Sequence, residues 1–349
     1  MKKTLAAALI SAVLATFITA AGFASASFGA EKAAAAAVCA AEESAASDDA
    51  GEDDCKASDD AGFDYTVGSL GEDEKTRPSY TSENAVAAEK RYKTPEYPDG
   101  SAQVFLSVND VPTPHGNAAK VGDTVYLPLF EFCGLFLDTE ATETAEDGTV
   151  TAVGGDGWEI RAAEGERYIT SGERVVWCGD EATVQNMGGI ICVPAEPLCH
   201  LLGIEFVETD NVMYITGEAS VKSADEFYDS DSLYWLSHII SAESRGEPIE
   251  GQIAVGSVVL NRLRTFDYLT TVYEVIFDRR FGIQFSPAYS GSVYAEPADS
   301  AVFAAKVCLE GYSVSDDIMY FINSSYTPSE WWSSSCKFVL NIGHHDFYS

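Results

Sequence analysis

Apolar residues follow different rhythms in successive stretches of the chain, and each rhythm predicts a different kind of structure. From Leu5 to Phe23 they run almost unbroken behind Lys2 and Lys3, and Ala24-Ser25-Ala26 follows. A basic start, an apolar stretch and small residues at the cleavage position predict a signal peptide over residues 1–26 and an exported chain. The run is about long enough to cross a bilayer, so an uncleaved membrane anchor is the alternative. Residues 27–100 hold few large apolar side chains and are dominated by Ala, Asp, Glu and Ser. Such a stretch cannot bury enough surface to offset chain entropy, which predicts a disordered, self-repelling tether.

Between residues 101 and 220 the apolar positions come in short β-branched and aromatic runs, among them Val104–Val108 and Val212–Thr216, which predict strands. The segment repeats itself. Gly122-Asp-Thr-Val-Tyr-Leu-Pro128 returns as Gly188-Gly-Ile-Ile-Cys-Val-Pro194, and Leu127/Val193, Pro128/Pro194 and Cys133/Cys199 share an offset of 66 residues. Each copy reads as a strand, a proline and a helix-like stretch, Phe130–Phe136 and Pro197–Leu202. A small α+β domain of two similar halves is expected.

Residues 232–264, SLYWLSHIISAESRGEPIEGQIAVGSVVLNRLR, change to the helical period. Leu233, Leu236, Ile239 and Ile240 share one face of a helix that Ser232 is placed to cap. At about 100° per residue, Glu243 lies about 20° from Leu236, in the middle of the apolar stripe. A carboxyl there is a buried ion pair, with Arg245 or Arg262 as partner, or a functional acid whose pKa burial raises. Arg245-Gly246-Glu247-Pro248 then breaks the helix. A second helix, from Ile249 to about Arg264, is apolar over most of its surface and is expected to be central.

The 349 residues carry 21 basic and 55 acidic side chains, a net charge of −34. This excludes polyphosphate or nucleic-acid binding by counterion displacement, and broad adhesion to anionic surfaces. Residues 101–226 hold 5 basic and 22 acidic residues, whereas residues 227–349 hold 7 and 15, so the last segment is the least acidic part of the exported chain. Eight cysteines fall two, four and two into tether, middle and C-terminal segments. Even counts in an exported chain permit disulfides, with Cys308 and Cys336 the simplest pair, and free buried thiols are the alternative. Cys192 and Cys199 are spaced too widely for a zinc knuckle. His115 and His200 are isolated. His344-His345-Asp346 alternates sides in a strand and chelates one ion poorly, so no metal or other cofactor is expected.

The string ISAESRGEPIEGQIAVGSVVLNRLR resembles the signature AEARGEP..GQ.AVG.VVLNR of cell wall hydrolases of the spore cortex-lytic SleB family. Gln284-Phe-Ser-Pro287, Tyr320-Phe-Ile-Asn323, a Trp at 331 or 332 and Ile342-Gly-His-His-Asp-Phe-Tyr348 follow in the family's order. The resemblance covers residues 230–349. Ser244, Ile322, Ser324 and His344 depart from its pattern. It implies a mainly α, lysozyme-like catalytic domain at 227–349 that cleaves the MurNAc–GlcNAc bond of peptidoglycan glycan strands, in spore cortex or cell wall. Glu243 matches the catalytic acid. Gln284, Phe285, Ser286, Tyr320, Asn323, Trp331, Trp332 and His345 stand at substrate-binding positions, and Glu247 is the candidate second acid. The strand–helix unit Val125-Tyr-Leu-Pro-Leu129 resembles the stalk domain named after the N-terminal domain of copper amine oxidases. That likeness implies a wall-associated accessory domain and, lacking ligands, no copper.

Most glycosidases use two carboxylates, but only Glu243 is clearly placed here. One acid suffices when the muramic 6-hydroxyl is the nucleophile, as in lytic transglycosylases, and that reading is preferred to hydrolysis. A non-catalytic wall-binding protein is the reading from another class. An amidase would need zinc ligands that this segment lacks.

Overall fold

The computed structural model describes residues 94–179, 181–323 and 336–349. The expected signal peptide and most of the expected tether lie outside them, as do Cys39, Cys55, Trp331 and Trp332. No helix among the described residues is long and apolar enough to cross a membrane.

The chain opens with three strands, β1 (Ala102–Val108), β2 (Val111–Val121) and β3 (Thr124–Pro128), and the short helix α1 (Leu129–Cys133). Five strands follow: β4 (Thr139–Thr144), β5 (Val150–Gly154), β6 (Glu159–Ala162), β7 (Tyr168–Ser171) and β8 (Arg174–Trp177). The chain returns through β9 (Gln185–Asn186), β10 (Ile191–Pro194), α2 (Ala195–Leu202), β11 (Glu205–Thr209) and β12 (Val212–Thr216). Two sheets result. One has the order β11-β12-β1-β2-β3-β10-β9, and the other is the antiparallel meander β4-β5-β6-β7-β8.

The 66-residue repeat is now visible as geometry. Its two strands, β3 and β10, are antiparallel neighbours with Leu127 opposite Val193. Each ends in a proline that starts a helix, and both helices turn their apolar side to one core. Proline cannot extend a ladder, but it suits the entry of a helix, so the same three-residue device ends both strands. Leu127, Leu129, Phe132, Cys133, Leu198 and Leu202 are all buried there. The meander is inserted between the halves; its strands are short and half polar, and each pairs with the next in sequence.

The C-terminal part holds α3 (Ala224–Phe227), α4 (Ser230–Ser244), α5 (Ile249–Thr265), α6 (Val272–Phe277), α7 (Pro287–Ser290), a 3₁₀ turn at Ser292–Tyr294 and α8 (Asp299–Leu309). Three strands close it: β13 (Tyr320–Asn323), β14 (Phe338–Ile342) and β15 (His345–Tyr348), in the order β13-β15-β14. This part is therefore helical with a terminal three-stranded sheet, which the expectation of a mainly α fold did not include. α4 begins two residues before the expected cap. Asp229 caps it, its carboxylate accepting from the Ser232 amide at 2.8 Å. α5 is the central helix, with Ile253, Ala254, Val255, Val258 and Val259 all buried. Its few polar side chains are used: Asn261 donates to the carbonyls of Ser315 and Ile318, and Ser257 accepts from the Val314 amide, which together fix the lead into β13.

The expected Cys308–Cys336 disulfide is not formed, and every cysteine among the described residues is a free thiol. Cys308 is packed against Gly256 of α5, with its Sγ 3.4 Å from the Ile253 carbonyl oxygen. Burial pushes its thiol up to about 12. A cysteine used as a small apolar side chain at a helix crossing is not free to reach a partner.

Candidate functional site

Glu243 occupies the last turn of α4, one residue before the helix ends at Ser244. Leu236, Ile239 and Ile240 on the same side are wholly buried. No hydrogen bond or ion pair to Glu243 forms among the described residues. Arg245 turns instead to the Glu296 carbonyl, at 2.8 Å, and to Ser241 Oγ. Arg262 donates to Gln284 Oε1. The ion pair left open by the sequence is thus absent, and burial alone lifts the Glu243 carboxyl to about 7.

The turn after Glu243 does not use left-handed backbone. Arg245 is still in the right-handed helical region, and Gly246 is not among the residues of positive φ. The break comes from Pro248, which bars its predecessor from helical backbone and has an extended ψ of 158°. The turn is held from both sides. The Glu247 amide bonds the Ser244 carbonyl at 2.9 Å, and Gln252 Nε2 donates to the Glu247 carbonyl at 3.0 Å.

Glu247 is bound differently from Glu243. Burial would raise its pKa, but hydrogen bonds from the His344 amide (2.9 Å) and ring Nδ1 (3.1 Å), with the charge of His345, bring it below the ordinary value. Its carboxylate fixes the β14–β15 turn against the α4–α5 turn. Gly343 there has φ 59°, and a Cβ at that position would collide with the Glu247 carboxylate. Glycine is required twice over.

The remaining expected site residues fall into two groups. Gln284, Phe285 and Tyr320 gather around Arg262, whose guanidinium lies 5.6 Å from the Phe285 ring centre and 5.3 Å from that of Tyr320. Phe285 is buried in the core and supports this group from beneath, while Ser286 is exposed beside it. Asn323 and His345 form the second group, opposite each other in the β13–β15 ladder, with His345 near Glu247. The strand from Tyr320 to Asn323 separates the groups by about 10 Å. His345 is buried, its ring edge-on to Phe321 at 5.2 Å, and desolvation lowers its pKa. Among the described residues no cluster of His, Cys, Asp and Glu is placed to hold a metal ion. Gln252 and Arg262 were missed as site residues by the sequence reading. Their signal was available, since each is a polar side chain inside an otherwise apolar helix.

Residues 246–348 match the protein-family model for Cell Wall Hydrolase. This is a cell wall hydrolase domain. The chain is 32% identical over 133 residues to a spore cortex-lytic enzyme of Oceanobacillus iheyensis, covering 38% of this chain and 46% of that protein. It is 30% identical over 121 residues to the spore cortex-lytic enzyme of Bacillus subtilis, covering 34% and 38%. The chain thus spans less than half the length of these relatives. The solved catalytic domain of the germination-specific lytic transglycosylase SleB from Bacillus anthracis is 30% identical, with 35% of this chain and 97% of that chain covered and a TM-score of 0.32. Glu243, Ser244 and Arg245 lie just before the matched range, and residues 246–248, α5, β13, β14 and β15 lie within it.

Proposed function

We propose that this chain is an exported peptidoglycan-degrading enzyme that cleaves the MurNAc–GlcNAc bond as a lytic transglycosylase, with Glu243 as its single acid and base. The observation that carries the reading is the contrast between the two glutamates of the turn. Glu243 has no partner among the described residues, and burial lifts its carboxyl to about 7, so a substantial fraction holds its proton at neutral pH where an ordinary glutamate has lost it. Glu247 is held ionised by His344 and serves as an anchor. Environments that push two carboxyls apart in this way assign the acid.

The proposed sequence of events follows from that assignment. The Glu243 carboxyl donates its proton to the glycosidic oxygen as the bond to C1 breaks. The carboxylate so formed takes the proton of the muramic 6-hydroxyl, whose oxygen bonds to C1. The product is a 1,6-anhydro ring, and Glu243 is protonated again. Gln284, Ser286, Tyr320, Asn323, Trp331 and Trp332 would contact the glycan, and Phe285 and His345 would support them. Hydrolysis with Glu247 as the second group is the other reading, favoured only by its lowered pKa.

In the proposed plan the signal peptide is 1–26, the tether 27–100, a wall-associated accessory domain 101–220 and the lytic domain 227–349. The test is Glu243→Gln in the full chain. Loss of soluble glycan fragments with an unchanged fold supports the assignment, and retained activity removes Glu243 from the chemistry.

A further inference from the structure

The proposed reaction makes no use of the most deeply buried charge pair among the described residues. It joins the β7–β8 hairpin to the hydrolase domain. Arg174 and Glu310 are 1% and 4% exposed and meet in a two-point pair, both bonds 2.8 Å. Glu310 also meets His200 Nε2 of α2 at 3.0 Å, and the Arg174 guanidinium lies 4.3 Å over the ring of Phe227. Beside this pair, Val175 and Trp177 are buried in the same core as Leu236, Ile253 and Val258. Phe303 of α8 sits edge-on to Tyr168 at 4.9 Å and to Trp177 at 6.2 Å. At the end of the hairpin nearest the candidate site, Arg167 pairs with Glu250 at 2.6 Å in the first turn of α5. Arg167 also donates to the Gly179 carbonyl and lies 4.9 Å over Trp177.

A module carried on a free linker does not bury charge against its neighbour. Removing a carboxylate and a guanidinium from water is costly, and the pair is tolerated only where its geometry is fixed. Taking the hairpin away would also uncover the apolar faces of Trp177 and Phe303. The Arg167–Glu250 pair is of another kind. Both side chains are partly exposed, so it contributes little to stability. Its effect is on where the first turn of α5 sits, immediately beyond the turn that follows Glu243.

We propose that the β7–β8 hairpin is a working part of the hydrolase domain, completing its core through Arg174, Val175 and Trp177 and bracing the turn behind Glu243 through Arg167. Arg167 is then a positioning residue supplied from outside the family's matched range. The second half of this inference rests on Glu243 as the acid, and the first half does not.

A protease site inserted between the exposed Glu218 and the following Ala219 of the full chain separates the two halves. After cleavage they should co-elute as one particle and unfold in a single transition; separation into two species, or two independent transitions, overturns the shared core. The brace is read from kinetics on soluble glycan fragments. Arg167→Ala and Glu250→Gln should each lower kcat by about tenfold or more with KM and the unfolding midpoint unchanged, as expected when a reacting group is misplaced. Arg167→Lys should restore most of the loss. An unchanged kcat, or a loss confined to KM, overturns the brace. If Glu243→Gln stays active while the cleaved halves still hold together, the site assignment fails and the shared core stands.

Discussion

Replacing Glu243 by Gln should make the protein more stable, and by an amount that depends on pH. The Glu243 carboxyl titrates near 7 in the fold against an ordinary 4.5, with burial as the cause. The difference between these two values corresponds to about 3 kcal/mol. Below the ordinary value the group is neutral in both folded and unfolded chains and costs nothing. Between the two values the fold holds a proton that the unfolded chain has lost, and stability falls as pH rises. Above about 7 the carboxylate is charged in both states and the full cost is present. Glutamine keeps the shape and never ionises. Urea unfolding of the wild type and Glu243→Gln should therefore give nearly equal stability near pH 4.5 and a gain for the variant of up to about 3 kcal/mol near pH 8.5. The same variant should be inactive. An equal gain at both pH values, or none at pH 8.5, would refute the claim that Glu243 is a desolvated and unpaired acid.

The remaining predictions concern the same turn and the buried pair. With Glu243 as the proton donor, kcat/KM should fall on the alkaline side with a midpoint near 7, and a pH–rate profile from about pH 5 to pH 9 checks it. Gly343→Ala must strain a left-handed residue and displace the Glu247 carboxylate, and should cost about 1–3 kcal/mol in denaturant titrations, with activity reduced alongside. Arg174→Met leaves the buried Glu310 with His200 as its remaining partner and should cost about 3–5 kcal/mol, whereas Arg174→Met with Glu310→Leu should recover most of it by thermal unfolding.

The position of Glu243 was legible because it breaks the pattern of its own helix, and local periodicity is what a sequence shows best. The repeat was legible for the same reason, and the pairing of Leu127 with Val193 shows that its halves lie side by side. The roles open to Glu247 were not distinguishable, because its partner His344 is 97 residues away. Of the two fates open to Cys308 the free buried thiol is the one found, because an even count per segment says nothing about a thiol packed against Gly256. The five-stranded meander went unread: its strands are short, and Arg174, Val175, Val176 and Trp177 follow one another on a strand whose two sides are both covered. That pattern reads as an ordinary apolar strand until the hydrolase domain is seen against it.

In the proposed reaction one carboxyl, Glu243, cleaves glycan strands with the substrate's own hydroxyl as nucleophile. Mass analysis of the soluble products of a peptidoglycan digest by the full chain tests it most directly. The expected products are fragments ending in 1,6-anhydro-muramic acid, about 18 Da lighter than their hydrolysed counterparts, with none from Glu243→Gln. Reducing ends in place of anhydro ends would contradict the single-carboxyl mechanism, and release of peptides from uncut glycan would contradict the reaction itself.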